Sequence, residues 1–122
     1  MLMSQISTEM VQAQKRYFGR GPTQAKSYLV DDFLVVVLRG GMTTAESTLL
    51  RLGREHLVRH FRQELEHELA RHLIDKLQEL TGRTIVDHQA QVLFNPDVVV
   101  KMFFFKPDRS GRAPGVDATA KE

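Results

Sequence analysis

The chain has 122 residues and a mass of 14.0 kDa, one domain's worth of polypeptide. It has no cysteine, which excludes disulfides, cysteine nucleophiles and thiolate-held zinc or iron–sulfur centres. Lys+Arg number 17 against 15 Asp+Glu, a net charge of +2, so the balance argues against a dedicated nucleic-acid or anionic-membrane binder with a clustered basic excess.

The start, Met1-Leu2-Met3-Ser4, lacks the basic-then-apolar pattern of a signal peptide. The longest apolar run, Phe33 to Leu38, is far shorter than the roughly 20 residues of a spanning helix. A soluble, cytoplasmic protein is expected, with no direct membrane insertion and any membrane role exercised through a partner.

Helical spacing of Ile6, Met10 and Tyr17 predicts a first helix, α1, over 4–18, with Ser4 or Ser7 as N-cap. Gly19-Arg20-Gly21-Pro22 stops it. Residues 25–30 and 33–39 read as strands β1 and β2 around an Asp31-Asp32 turn. Thr43 and Glu46 form a capping box that opens a short helix, α2, ending near Leu52. A long helix, α3, follows over 54–80, with Leu57, Phe61, Leu65, Leu69, Leu73, Leu77 and Leu80 as its apolar stripe. Thr81-Gly82 closes it, after about 40 Å.

Residues 84–94 and 98–106 read as a second hairpin, β3 and β4, around Asn95-Pro96-Asp97. In β3, Val86, Ala90, Val92 and Phe94 share one face and Asp87, Gln89 and Gln91 the other, a one-sided strand. Strands β2 and β4 are apolar on both faces, as central strands are. The expected fold is therefore α+β, with chain order α-β-β-α-α-β-β and a mostly antiparallel four-stranded sheet ordered β1-β2-β4-β3. So few helices leave one sheet face short of cover, and a homodimer would close it. Residues 1–106 form the single domain. Residues 107–122, poor in large apolar side chains, read as a disordered tail.

Four histidines lie on the long helix. His67 and His72 are five apart and cannot converge on one ion as the zincin pair does. His56 and His60 have the four-residue spacing, so a zinc or nickel site is conceivable there, against a plain solvated face. Gly19, Arg20, Gly21 and Lys26 make an anion-receptive turn, against a simple helix cap. It does not match the P-loop. Asp31-Asp32 at a hairpin tip reads as a turn, and Phe103-Phe104-Phe105 as core rather than a base-stacking platform. Nucleic-acid binding is not expected, and no cofactor is implied.

The stretch GRGPTQAKSYLVDDFLVVVLRGGMTTAE, Gly19 to Glu46, resembles the MpsC-like family, also called YbcI-like. GREHLVRHFRQEL, Gly53 to Leu65, and LTGRTIVDHQAQV, Leu80 to Val92, are similar to that family's later blocks, so the resemblance covers about 4–106. It departs at Thr44, where the family commonly has Pro. The resemblance implies a small soluble component of a membrane-potential-generating, ion-translocating system linked to inorganic carbon supply. It implies an accessory or regulatory subunit that associates with membrane transport subunits, and it transfers no catalytic residue. Among the positions that match, Arg20, Lys26 and Arg54 lack a structural explanation. With Gly19 and Gly21 they form the candidate anion site of an alternative reading, a small-anion sensor or enzyme.

Overall fold

Two apolar runs separated by Asp31-Asp32 fold back on each other, with Asp31 taking the left-handed turn conformation at φ 51° that Asp tolerates better than most residues. In the computed structural model, residues 1–107 are described in full and residues 116–121 as backbone. The elements are α1 (Leu2–Phe18), β1 (Gln24–Val30), β2 (Phe33–Arg39), α2 (Thr44–Arg51), α3 (Glu55–Thr81), β3 (Ile85–Leu93), β4 (Val98–Phe105) and β5 (Val116–Lys121). The expected α+β order is present, and so is the inner four-strand order β1-β2-β4-β3, antiparallel throughout.

One strand was not expected. Val116–Lys121 pairs antiparallel with β1 and makes the sheet five-stranded, β3-β4-β2-β1-β5. The reading of 107–122 as a disordered tail is corrected over those six residues. A scarcity of large apolar side chains does not prevent a strand from taking the backbone hydrogen bonds offered by an exposed sheet edge. The rest of that expected tail, 108–115 and 122, lies outside the described residues.

Helix α1 begins two residues before the predicted start, with Met1 rather than a serine at the N-cap. Ser7 serves elsewhere: its Oγ lies 2.6 Å from Ser27 Oγ on β1, a buried bond that ties helix to sheet. Gly19 caps the helix at φ 78°, and Gly82 caps α3 at φ 68°. The Gly40–Met42 turn closes against the Gly21–Thr23 turn. A Cβ on Gly40 would lie 2.6 Å from Thr23 Oγ1, and its φ of 77° also favours glycine.

Both long helices cover the same sheet face. They run antiparallel: Met1 to Glu9 flank Lys76 and Leu80, Gln14 meets Glu66, and Phe18 meets Phe61. Ile6, Met10, Leu69, Leu73 and Leu77 pack there on Leu34, Val36, Leu38, Val99 and Phe103. The predicted stripe on α3 holds only in its C-terminal half. In the N-terminal half Val58, Arg62 and Glu66 are buried, while Leu57 and Phe61 are 48% and 49% exposed. Contacts of β3 also differ from the simple alternation. A register shift between Ile85 and Asp87 leaves Val86 exposed and puts His88, Ala90 and Val92 on the helix-covered face.

Among the described residues, no helix lies on the other sheet face. Phe33, Val35 and Val37 of β2 align there with Phe104, Met102 and Val100 of β4. Phe33 and Phe104 meet edge to face at 5.1 Å. The strip is bordered by Lys26 and Tyr28 on β1 and by Asp87, Gln89 and Gln91 on β3.

Candidate functional site

Lys101 is the single charged residue in the β4 run Val98–Phe105. Period-two alternation directs it with Val99, Phe103 and Phe105 onto the helix-covered face. It is fully buried there, and so is Glu66, whose position on α3 keeps step with Val58, Arg62, Leu69 and Leu73. Lys101 Nζ donates to Glu66 Oε1 at 2.8 Å, and Gln14 Nε2 donates to both Glu66 oxygens at 2.7 and 3.0 Å. One carboxylate therefore joins α1, α3 and β4. Burial lowers the Lys101 pKa because it penalises the ammonium, and Glu66 offsets only part of that.

A second buried pair lies about one helical turn along α3. Arg62 holds Glu46 through Nε and Nη2, and Arg62 Nη2 also donates to the Gly41 carbonyl at 3.2 Å. Its guanidinium stacks 4.7 Å from the Phe18 ring centre. Glu46 is the N3 residue of the expected capping box and accepts from the Thr43 backbone and hydroxyl. Burial raises its pKa, but the bonds from Arg62 and Thr43 outweigh it and hold the carboxyl below its ordinary 4.5.

Beside the Lys101–Glu66 pair a cleft of about 270 Å³ opens between α3 and β3, with Gln63, Glu66, His67, His88 and Gln89 on its walls. The imidazoles of His67 and His88 face each other at 5.0 Å. Burial lowers the His88 pKa from 6.5, and the His67 ring lowers it further, while Asp87 opposes the shift. The cleft thus places the Gln63 carboxamide and the two facing imidazoles beside a closed ion pair.

The residues expected to form an anion site each take a local contact of their own. Arg20 Nη1 donates to the Met42 carbonyl at 3.3 Å. Lys26 lies on the open sheet face, 5.1 Å from the Tyr28 ring centre. Arg54 stands at the N-cap of α3, and Gly19 and Gly21 serve the α1 exit turn. Among the described residues, Arg20, Lys26 and Arg54 share no hydrogen-bond partner. His56 and His60 are exposed on α3, and among the described residues no group of three or more His, Asp or Glu is arranged to hold a metal ion.

Sequence reasoning missed Gln14, Glu66, Lys101 and Arg62. Two signals were available: a lone lysine inside an otherwise apolar strand, and Arg62 and Glu66 falling in register with Val58 and Leu69. Each is a charge on a face that periodicity assigns to the core.

No described helix is long and apolar enough to cross a membrane. No curated protein and no solved structure matches the chain. The family described as "Na+-translocating membrane potential-generating system (MpsC)" matches residues 1–107, most of the chain, and the chain belongs to that family.

Proposed function

We propose that the chain is a non-enzymatic accessory or regulatory subunit of a membrane-potential-generating, ion- or bicarbonate-transporting system. It works as a homodimer on the cytoplasmic side and associates with the membrane transport subunits. One observation carries this reading: the sheet face opposite the helices is apolar, continuous across β2 and β4, and covered by no helix among the described residues. A second copy is the favoured occupant. The strip is self-complementary in its apolar rows, because Phe33, Val35 and Val37 of β2 lie level with Phe104, Met102 and Val100 of β4. A two-fold axis along the strands lays β2 of one copy over β4 of the other, phenylalanine level with phenylalanine, with the β1 border of each copy over the β3 border of its partner. The family's name supplies the membrane system.

Co-purification from the native host in mild detergent tests the assignment. The tagged protein is expected to bring down a large membrane subunit; recovery without any membrane component contradicts it. A second reading, a small-anion sensor at the Gly19–Pro22 turn, draws on Arg20 and Arg54, which have no carboxylate partner among the described residues. Thermal shift against an anion panel separates the two. Stabilisation lost in Arg20→Ala supports the anion reading, and a flat panel supports the subunit reading.

A further inference from the structure

The near-neutral total charge conceals an uneven distribution. The C-terminal turns of α1, the Gly19–Pro22 turn, the end of α2 and the start of α3 meet at one end of the molecule. The contacts that fix this are Phe18 with Phe61, Arg62 with Phe18 and the Gly41 carbonyl, and Arg20 with the Met42 carbonyl. Arg20, Arg51 and Arg54 are exposed there, together with Lys15 and Arg16 in the last turn of α1. Among the described residues none of these five has a carboxylate partner. Of the acidic groups nearby, Glu46 is consumed by Arg62 and Glu55 by Arg59, which leaves Glu64 and Asp97, the latter accepting from Met42 N at 3.2 Å.

The same end presents apolar side chains to solvent. Leu52 is 64% exposed in the α2–α3 connection, and Leu57 and Phe61 follow one turn apart on α3. Val58, Arg62 and Glu66 take the buried side of the helix, and Phe61 meets the Phe18 ring with about half of its surface still exposed. Large apolar groups ringed by unpaired arginines and lysines suit a surface that is anionic outside and apolar beneath. A soluble anion would use the cations and leave the leucines idle. Arginine side chains also reach headgroup phosphates while their stems lie along the acyl boundary.

We propose that this end is a peripheral lipid-contact surface. Arg20, Arg51 and Arg54 engage the phosphates of anionic phospholipid while Leu52, Leu57 and Phe61 enter the headgroup layer. The surface lies apart from the open sheet face and does not require the dimer. It would hold the protein at the bilayer beside its membrane partner, without crossing it.

The test is co-sedimentation of the full chain with protein-free vesicles of phosphatidylglycerol and phosphatidylcholine, against phosphatidylcholine alone. Binding is expected only with the anionic lipid, and is expected to be lost at about 1 M salt, where charges are screened beyond roughly 3 Å. Arg51→Glu/Arg54→Glu is expected to weaken it by about tenfold or more, since each basic residue near such a surface contributes appreciably. Leu57→Ser, at an exposed position, is expected to weaken it at unchanged charge. Circular dichroism of each variant should match the parent. Absence of binding to anionic vesicles overturns the proposal. So does binding that Leu57→Ser leaves intact and inorganic phosphate displaces at constant ionic strength, which assigns the cations to a free anion. Vesicles contain no protein, so either failure leaves the co-purification test of the subunit reading untouched.

Discussion

The two faces of the sheet invert the usual distribution of charge. The covered face contains Lys101, with Glu66 and Gln14 above it and the Arg62–Glu46 pair alongside, all buried. The uncovered face is a strip of Val, Met and Phe whose charges sit at its borders. A buried ion pair stabilises little by comparison with well-packed apolar groups, but it is costly to break. An uncovered apolar strip costs little in an isolated fold yet gains from any complementary surface. The first face specifies how α1, α3 and β4 dock, and the second is the face on which the proposed dimer would form.

The sharpest test of the covered face is Lys101→Met. It leaves Glu66 buried with Gln14 as its remaining partner, and a loss of about 3–5 kcal/mol in denaturant-derived stability is expected. Adding Glu66→Gln should recover much of that loss, because the carboxylate is then neutral. A double variant as unstable as the single one would mean that Lys101 acts through packing alone. Next in size, Glu46→Gln keeps the shape of the capping residue but removes the charge that holds Arg62. About 2–3 kcal/mol should be lost. Gly40→Ala probes the turn that leads β2 into α2 against Thr23, and about 1–3 kcal/mol is expected from the φ of 77° and the Thr23 contact.

The covered face should also give the protein acid sensitivity in two stages. The folded-state pKa of His88 lies below its ordinary 6.5, so the unfolded chain binds the proton first, and stability falls as the pH drops through that region. Glu46 lies below 4.5, so its contribution is full above that value and is lost as pH falls through its lowered folded-state pKa. Urea unfolding across pH should show both slopes. His88→Gln should flatten the upper one and Glu46→Gln the lower.

The sequence revealed the hairpins and the strand order because those features rest on alternation and on strands apolar on both sides, β2 and β4. The capping box at Thr43 and Glu46 was equally legible, since both partners lie within one turn. The ion-pair network was not. Glu66 and Lys101 are 35 residues apart, and nothing local pairs them. On α3, leucine spacing suggested a uniform stripe, yet tertiary contacts at Arg62 and Glu66 turned the first half so that Leu57 and Phe61 face out. β5 escaped notice because its sheet pairing with β1 uses backbone groups that composition does not report.

The open face supplies the smallest expected change in the isolated fold and the largest in assembly. Met102→Glu projects a carboxylate into the middle of the strip, opposite Val35 and Gln89. Light scattering coupled to size exclusion, on the parent and this variant at matched concentrations, tests the central claim directly. The parent should have the mass of two chains and Met102→Glu the mass of one, with unchanged circular dichroism. A parent that stays at the mass of one chain at every concentration, or a Met102→Glu protein that remains dimeric, would contradict the account.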